Sequence, residues 1–152
     1  FNDIMLPISF QSMAVMVVPL ACRPKIGVAA VLLYLVLAAL GVPILAGGVG
    51  GFKYFLSTSG GYLVGFFIVA LLAGFSKPFL KGRHSFLLLF ILFILLHVVL
   101  TLCGLSWFWM NGIETPFTEH VSPFMPGAVI KSLVGAALVE IVWQVTRKYK
   151  FL

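Results

Sequence analysis

Apolar runs fill most of this chain. They cover Ile4–Ala21, Ile26–Leu40, Tyr62–Phe75, Phe86–Cys103 and Ala128–Thr146. Of the 152 residues, 62% are hydrophobic and 9% charged, against about 45–50% and about 25% in soluble domains. No soluble fold of this size could bury so much apolar surface, so lipid is the solvent. Backbone in lipid must satisfy its own hydrogen bonds, and runs of this length do so as helices. Ile26–Leu40 is marginal for a crossing and needs a tilt or a thinned bilayer. The sequence therefore predicts an all-α integral membrane protein, one transmembrane domain over residues 1–152, with about five crossings.

The charges arrange these runs. The formal net charge is +6, but the cations sit in clusters between apolar runs and form no basic face with interleaved aromatics, so nucleic acid is not the expected partner. If each run crosses once, Arg23/Lys25, Lys77/Lys81/Arg83 and Arg147/Lys148/Lys150 lie on one side, eight of the ten cations. The positive-inside rule makes that side cytoplasmic. Asp3, the segment Gly41–Gly61 and the connector Leu105–Pro123, with Trp107, Trp109, Glu114 and Glu119, fall on the other side. The chain begins at Phe1, and an upstream segment is expected. Cys22 and Cys103 lie near opposite ends of apolar runs and are expected not to pair.

Gly41–Gly61 is about 20 residues of irregular sequence, with Pro43, Gly47, Gly48, Gly50 and Gly51 followed by Ser57-Thr58-Ser59-Gly60-Gly61. Irregular backbone at membrane depth is tolerated where it is buried in protein or lines a cavity. Its glycines fit neither a Walker A nor a dinucleotide spacing, and no strand precedes them. They suit close backbone approach to a ligand, or a moving lid.

One residue breaks the apolar pattern. Phe124-Met125-Pro126-Gly127-Ala128-Val129-Ile130-Lys131 opens the last run and puts a cation inside it. A lysine near the bilayer centre costs roughly 2.5–3.5 kcal/mol unless something pairs with it. Lys131 either snorkels to the outer interface or waits for an anionic ligand, helped by the helix N-terminus above it. It lies about 4 residues, hence roughly 6 Å, below the helix start. Gly135 shares its face. Glu140 lies about 180° round the helix and does not pair with it; it reads as a polar contact near the inner interface, or a contact to another helix or subunit.

Catalysis has little support. His84, His97 and His120 fall in a turn, mid-helix and in the connector, so they form no metal set. His97 reads as a hydrogen-bonded core residue. Gly61-Val64-Gly65 and Gly135-Ala136-Ala137 read as small-residue helix packing. No acid–base pair or nucleophile spacing is visible, and no cofactor is expected.

Several stretches together resemble BioY, the biotin-specific S components of energy-coupling-factor (ECF) transporters. They are Pro7-Ile8-Ser9-Phe10-Gln11; Leu33-Tyr34-Leu35 running to Gly41-Val42-Pro43; Ala46-Gly47-Gly48 with Gly50-Gly51; Thr58-Ser59-Gly60-Gly61-Tyr62-Leu63-Val64-Gly65-Phe66; and Pro123-Phe124-Met125-Pro126-Gly127 with Ile130-Lys131. The resemblance implies a six-helix S component whose first helix is absent from this chain. It implies biotin uptake through an outward-facing pocket, with Lys131 as a polar ligand contact and Gln11, Tyr62 and the Gly47–Phe52 backbone, hence Gly47, Gly50 and Phe52, as lining. It implies membrane lipid, a transmembrane coupling protein and two ATPase subunits as partners, and a bacterial cell (inner) membrane as location.

One position departs from the pattern. The family places aspartate before Ile-Lys, a group similar to a ureido-recognising acid, and this chain has Ala128. Either another group compensates, with Glu119 a candidate, or affinity or specificity changes. The alternatives are a carrier of another small anionic vitamin, working as an S component or alone, and a structural membrane subunit with no ligand of its own.

Overall fold

The computed structural model describes residues 10–80, 86–113 and 124–148. Among these described residues there are five α-helices: α1 (Gln11–Ala21), α2 (Pro24–Ala39), α3 (Gly60–Leu80), α4 (Phe86–Met110) and α5 (Phe124–Lys148), with a short 3-10 helix at Phe52–Tyr54. Three of them, α3, α4 and α5, are long and apolar enough to cross a membrane. The other two are shorter than expected of a crossing. At 11 and 16 residues, α1 and α2 rise roughly 16 and 24 Å against a hydrocarbon core of about 30 Å. The part of the first run before Phe10 lies outside the described residues.

The helix boundaries have local causes. Arg23 is extended and Pro24 occupies the first turn of α2, where its missing N–H has no helical partner to lose. Pro126 sits likewise in the first turn of α5.

Three boundaries differ from the sequence expectation. Gly60 and Gly61 open α3 rather than end the loop, because Trp107 presses on the backbone of Gly61 and leaves no room for a Cβ. α3 also continues through Lys77 and Pro78, expected as a basic turn, to Leu80. There Lys77 Nζ donates to the carbonyls of Ala21 and Cys22 at the end of α1. α4 continues past Cys103 to Met110, so Trp107 and Trp109 are helical rather than part of a connector. The Trp107 indole N–H donates to Ser57 O at 2.9 Å, which ties the end of α4 to the loop before α3.

The contacts also give helix directions. Gln11 meets Tyr34 while Pro19 meets Gly27, so α1 and α2 are antiparallel. Gly61 meets Trp107 and Gly65 meets Leu100, so α3 and α4 are antiparallel. Phe93 packs on Gly135 and His97 bonds Ser132, so α4 and α5 are antiparallel. Ser12 meets Lys131 and Leu20 meets Trp143, so α1 and α5 are parallel. The starts of α1, α3 and α5 therefore share one end of the bundle with the finishes of α2 and α4, as the alternating charge pattern required. Residues 40–59 join α2 to α3 at that same end.

α1 is the hub, packed against α2, α3 and α5, and α3 also packs on α2 and α4. The core comprises Met16, Leu20, Ala38, Val69, Ala70, Ala73, Phe93, Ala136 and Val139, all fully buried. The outward faces are apolar as well, with Leu33, Val36, Leu95, Val98, Leu138 and Ile141 exposed. An apolar coat of this extent is stable against acyl chains, not water. The protein is a helical membrane protein.

Candidate functional site

Lys131 is the organising residue. Its helix begins at Phe124, not Ala128, so it lies seven residues, roughly 10 Å, down the axis rather than 6 Å. It is only 9% exposed. Its Nζ donates to Ser12 Oγ at 3.3 Å, and no carboxylate meets it among the described residues. A side chain this buried does not snorkel. It sits inside the bundle with one neutral hydroxyl as partner, while an ammonium has three donors to satisfy.

The next residue extends the polar cluster. Ser132 is fully buried, and its Oγ lies 3.2 Å from His97 Nδ1. That nitrogen also lies 2.9 Å from Phe93 O. A carbonyl accepts only, so Nδ1 carries the proton and Nε2 of the neutral ring is an acceptor. His97 is 7% exposed, and its Nε2 has no hydrogen-bond partner among the described residues. The expectation of a hydrogen-bonded core histidine is met on one ring nitrogen only.

Gln11 lies immediately beside Ser12 on α1 and faces the other way. Its Nε2 donates to Tyr34 Oη at 2.7 Å and to Ile44 O at 3.0 Å. One side chain thus ties the start of α1 to α2 and to the glycine-rich segment. That segment is held by its own backbone. Leu45 N–H donates to Val49 O at 3.0 Å, and Gly51 N–H to Ala38 O at 2.7 Å. Gly47 and Gly48 take φ of +84° and +69°, a region costly for residues with a Cβ.

The other expected site residues fall around this centre. Tyr62 is half-buried in the first turn of α3, packed on Gly104 and edge-on to Phe108 with centroids 6.3 Å apart. Gly50 packs against the carbonyl of Val42, where a Cβ would collide. Gly47 is exposed. Phe52 is 62% exposed, its ring stacked on Phe55 at 6.1 Å. Ala128 is half-buried one turn above Ser132. Glu119 and the rest of residues 114–123 lie outside the described residues, as do His84 and His120. Glu140, on the opposite face of α5 from Lys131, accepts from Gln144 at 3.1 Å through Oε1, and its Oε2 has no partner among the described residues. Cys22 and Cys103 are free thiols.

The sequence singled out Lys131 and Gln11 but not their partners Ser12 and Tyr34, nor Ser132, which meets His97. The available signal was adjacency, since Ser12 follows Gln11 and Ser132 follows Lys131. A groove of about 170 Å³ runs between α1 and α2, lined by Ala14, Val15, Val18, Ala30 and Val31 with Gln11 and Tyr34. It does not include Lys131, and its lining is almost wholly apolar, so it suits an acyl chain better than a polar solute.

This architecture has known counterparts. The crystal structure at 2.1 Å of the S-component for biotin from an ECF-type ABC transporter superposes with a TM-score of 0.82 at 31% identity, covering 95% of this chain and 79% of that one. The biotin transporter BioY of Rhizobium etli is 34% identical over 140 residues, 87% of this chain and 75% of that protein. The probable biotin transporter BioY of Pyrococcus horikoshii is 27% identical over 137 residues, 88% of this chain and 78% of that protein. The profile of the BioY family matches residues 2–148. The chain belongs to the BioY family.

Proposed function

We propose that this chain is the biotin-capturing membrane subunit, the S component, of an ECF-type vitamin transporter. Its family is one of transporters, and it performs no covalent chemistry. The observation that carries the reading is Lys131, a cation buried in a membrane bundle with one neutral partner among the described residues. A membrane protein keeps such a group for a polar solute that enters and pairs with it. Biotin brings a carboxylate and a ureido carbonyl, and either accepts from an ammonium.

The pocket opens at the end of the bundle where residues 40–59 lie, opposite the Arg23/Lys25 turn and the Arg147/Lys148 tail. The positive-inside rule makes this the outer face of the membrane, which we read as a bacterial cell (inner) membrane. Lys131 is the central contact. Gln11, Tyr62, Gly47, Gly50, Phe52 and Ala128 form the lining, with Phe52 and Gly47 closing over the ligand from the loop. Release inward is driven by a transmembrane coupling protein and two ATPase subunits, and the whole of residues 1–152 acts as one substrate-binding domain.

A titration of the purified chain with labelled biotin tests this. Saturable binding in the nanomolar to micromolar range, lost in Lys131→Ala, is the expected result. No binding by monodisperse protein sinks the proposal and favours another small anionic vitamin or a subunit without a ligand.

A further inference from the structure

The ureido ring of biotin carries a carbonyl acceptor between two N–H donors. A buried ring of this kind needs a donor and an acceptor side by side, because an unpaired N–H buried in the site weakens binding. Lys131 supplies the donor. Ala128 supplies no polar atom. Within the cluster around Lys131, Ser12 Oγ already accepts from the ammonium and Ser132 Oγ lies against His97 Nδ1. Among the described residues, the acceptor left over is His97 Nε2, buried and without a partner.

Position supports the pairing. Ala128 and Ser132 are four residues apart and share a face of α5. His97 meets that face at Ser132, so it stands about one turn below Ala128, on the helix opposite. Lys131 is close enough to act electrostatically on the ring. The hydrogen bond from Nδ1 to Phe93 O fixes the tautomer and leaves the lone pair on Nε2.

We propose that His97 Nε2 accepts a ureido N–H of biotin, and so provides in this chain the acceptor that Ala128 lacks. The Lys131–His97 pair then reads the carbonyl and one N–H of the ring as a unit. The ring enters first, and the carboxylate tail faces the loop. This rests on the biotin reading above.

The test is a titration of the purified full chain with biotin and with each of its two mono-N-methyl ureido derivatives. His97→Asn keeps an N–H where Nδ1 stands and removes Nε2. It is expected to weaken biotin binding about ten- to a hundredfold. One N-methyl derivative is expected to bind the unaltered protein weakly and to lose nothing further in H97N. Adding Ala128→Asp to H97N is expected to recover at least tenfold. His97→Phe, which keeps ring volume without Nε2, is the second variant should H97N not fold, with the same pattern expected. Biotin binding within twofold of the unaltered protein in H97N overturns the proposal. So does an equal loss for biotin and both derivatives, which marks a packing role. If the unaltered protein binds no biotin, the transport reading fails with it, and that titration alone reveals this.

Discussion

α1 and α5 touch at two polar points, and the two differ in kind. At the inner end the Trp143 indole N–H donates to Leu20 O at 2.9 Å. The last carbonyls of a helix have no helical partner, so Trp143 completes α1, and Lys77 does the same for Ala21 and Cys22. Met16, Leu20, Ala73 and Val139 seal that region. At the other end, among the described residues, Lys131 reaches only Ser12, and His97 Nε2 reaches nothing. Trp143 and Lys77 complete the last carbonyls of α1, with Glu140 Oε2 on the other face of α5 left over, while near Lys131 donors are left over beside the acceptor that α4 brings at His97. Buried polar groups left over in a native fold call for an explanation, and a ligand provides one.

Under the proposed function the Trp143 end is a stability element and the Lys131 end a binding element, a division that mutation can break. The largest effect is expected from Trp143→Ala. It removes a large buried ring and uncaps Leu20 O, costing about 3 kcal/mol or more of stability. Thermal unfolding in detergent checks this, and the folded fraction should bind biotin within a few-fold of normal. A large affinity loss at unchanged stability would show that the two ends are not separable.

Lys131→Ala should do the reverse. A hydrogen bond to a charged group is worth about 1.5–3 kcal/mol, so biotin affinity should fall at least tenfold. The melting temperature should hold or rise, because a buried cation with one neutral partner is removed. A drop in melting temperature without loss of binding would make Lys131 structural.

Gln11→Ala is expected to cost about 1–2 kcal/mol, spread over both properties, since it frees Tyr34 Oη and Ile44 O together. Faster hydrogen exchange at the amides of residues 44–49 measures the loosened segment. Ser12→Ala is the smallest change. Its hydroxyl makes one neutral hydrogen bond to Lys131, so affinity should shift by less than about fivefold. A loss as large as that of Lys131→Ala would move the site onto α1.

Much of the fold was legible in the sequence because hydropathy is a local sum. The lipid solvent, the five helical segments and their alternating directions follow from apolar runs and from the cations at Arg23, Lys25, Lys77, Arg147 and Lys148. Boundaries were less legible, for a reason visible at Gly60, Gly61 and Trp107. Glycines and tryptophans read locally as loop and interface residues, yet here they are helical because each fits against the other, over 40 residues apart in sequence.

The site divides the same way. That a cation interrupts the last apolar run is a statement about neighbours in sequence, and Lys131 was found on that ground alone. What faces it is not. Ser12 is 119 residues away, and His97 meets the neighbouring Ser132 across 35. Sequence periodicity assigned His97 to a helix core but could not say which ring nitrogen would find a partner. Only the packing of α4 on α5 decided that, because hydrogen bonds are short and directional while the pattern that builds each helix is blind to what lies across from it.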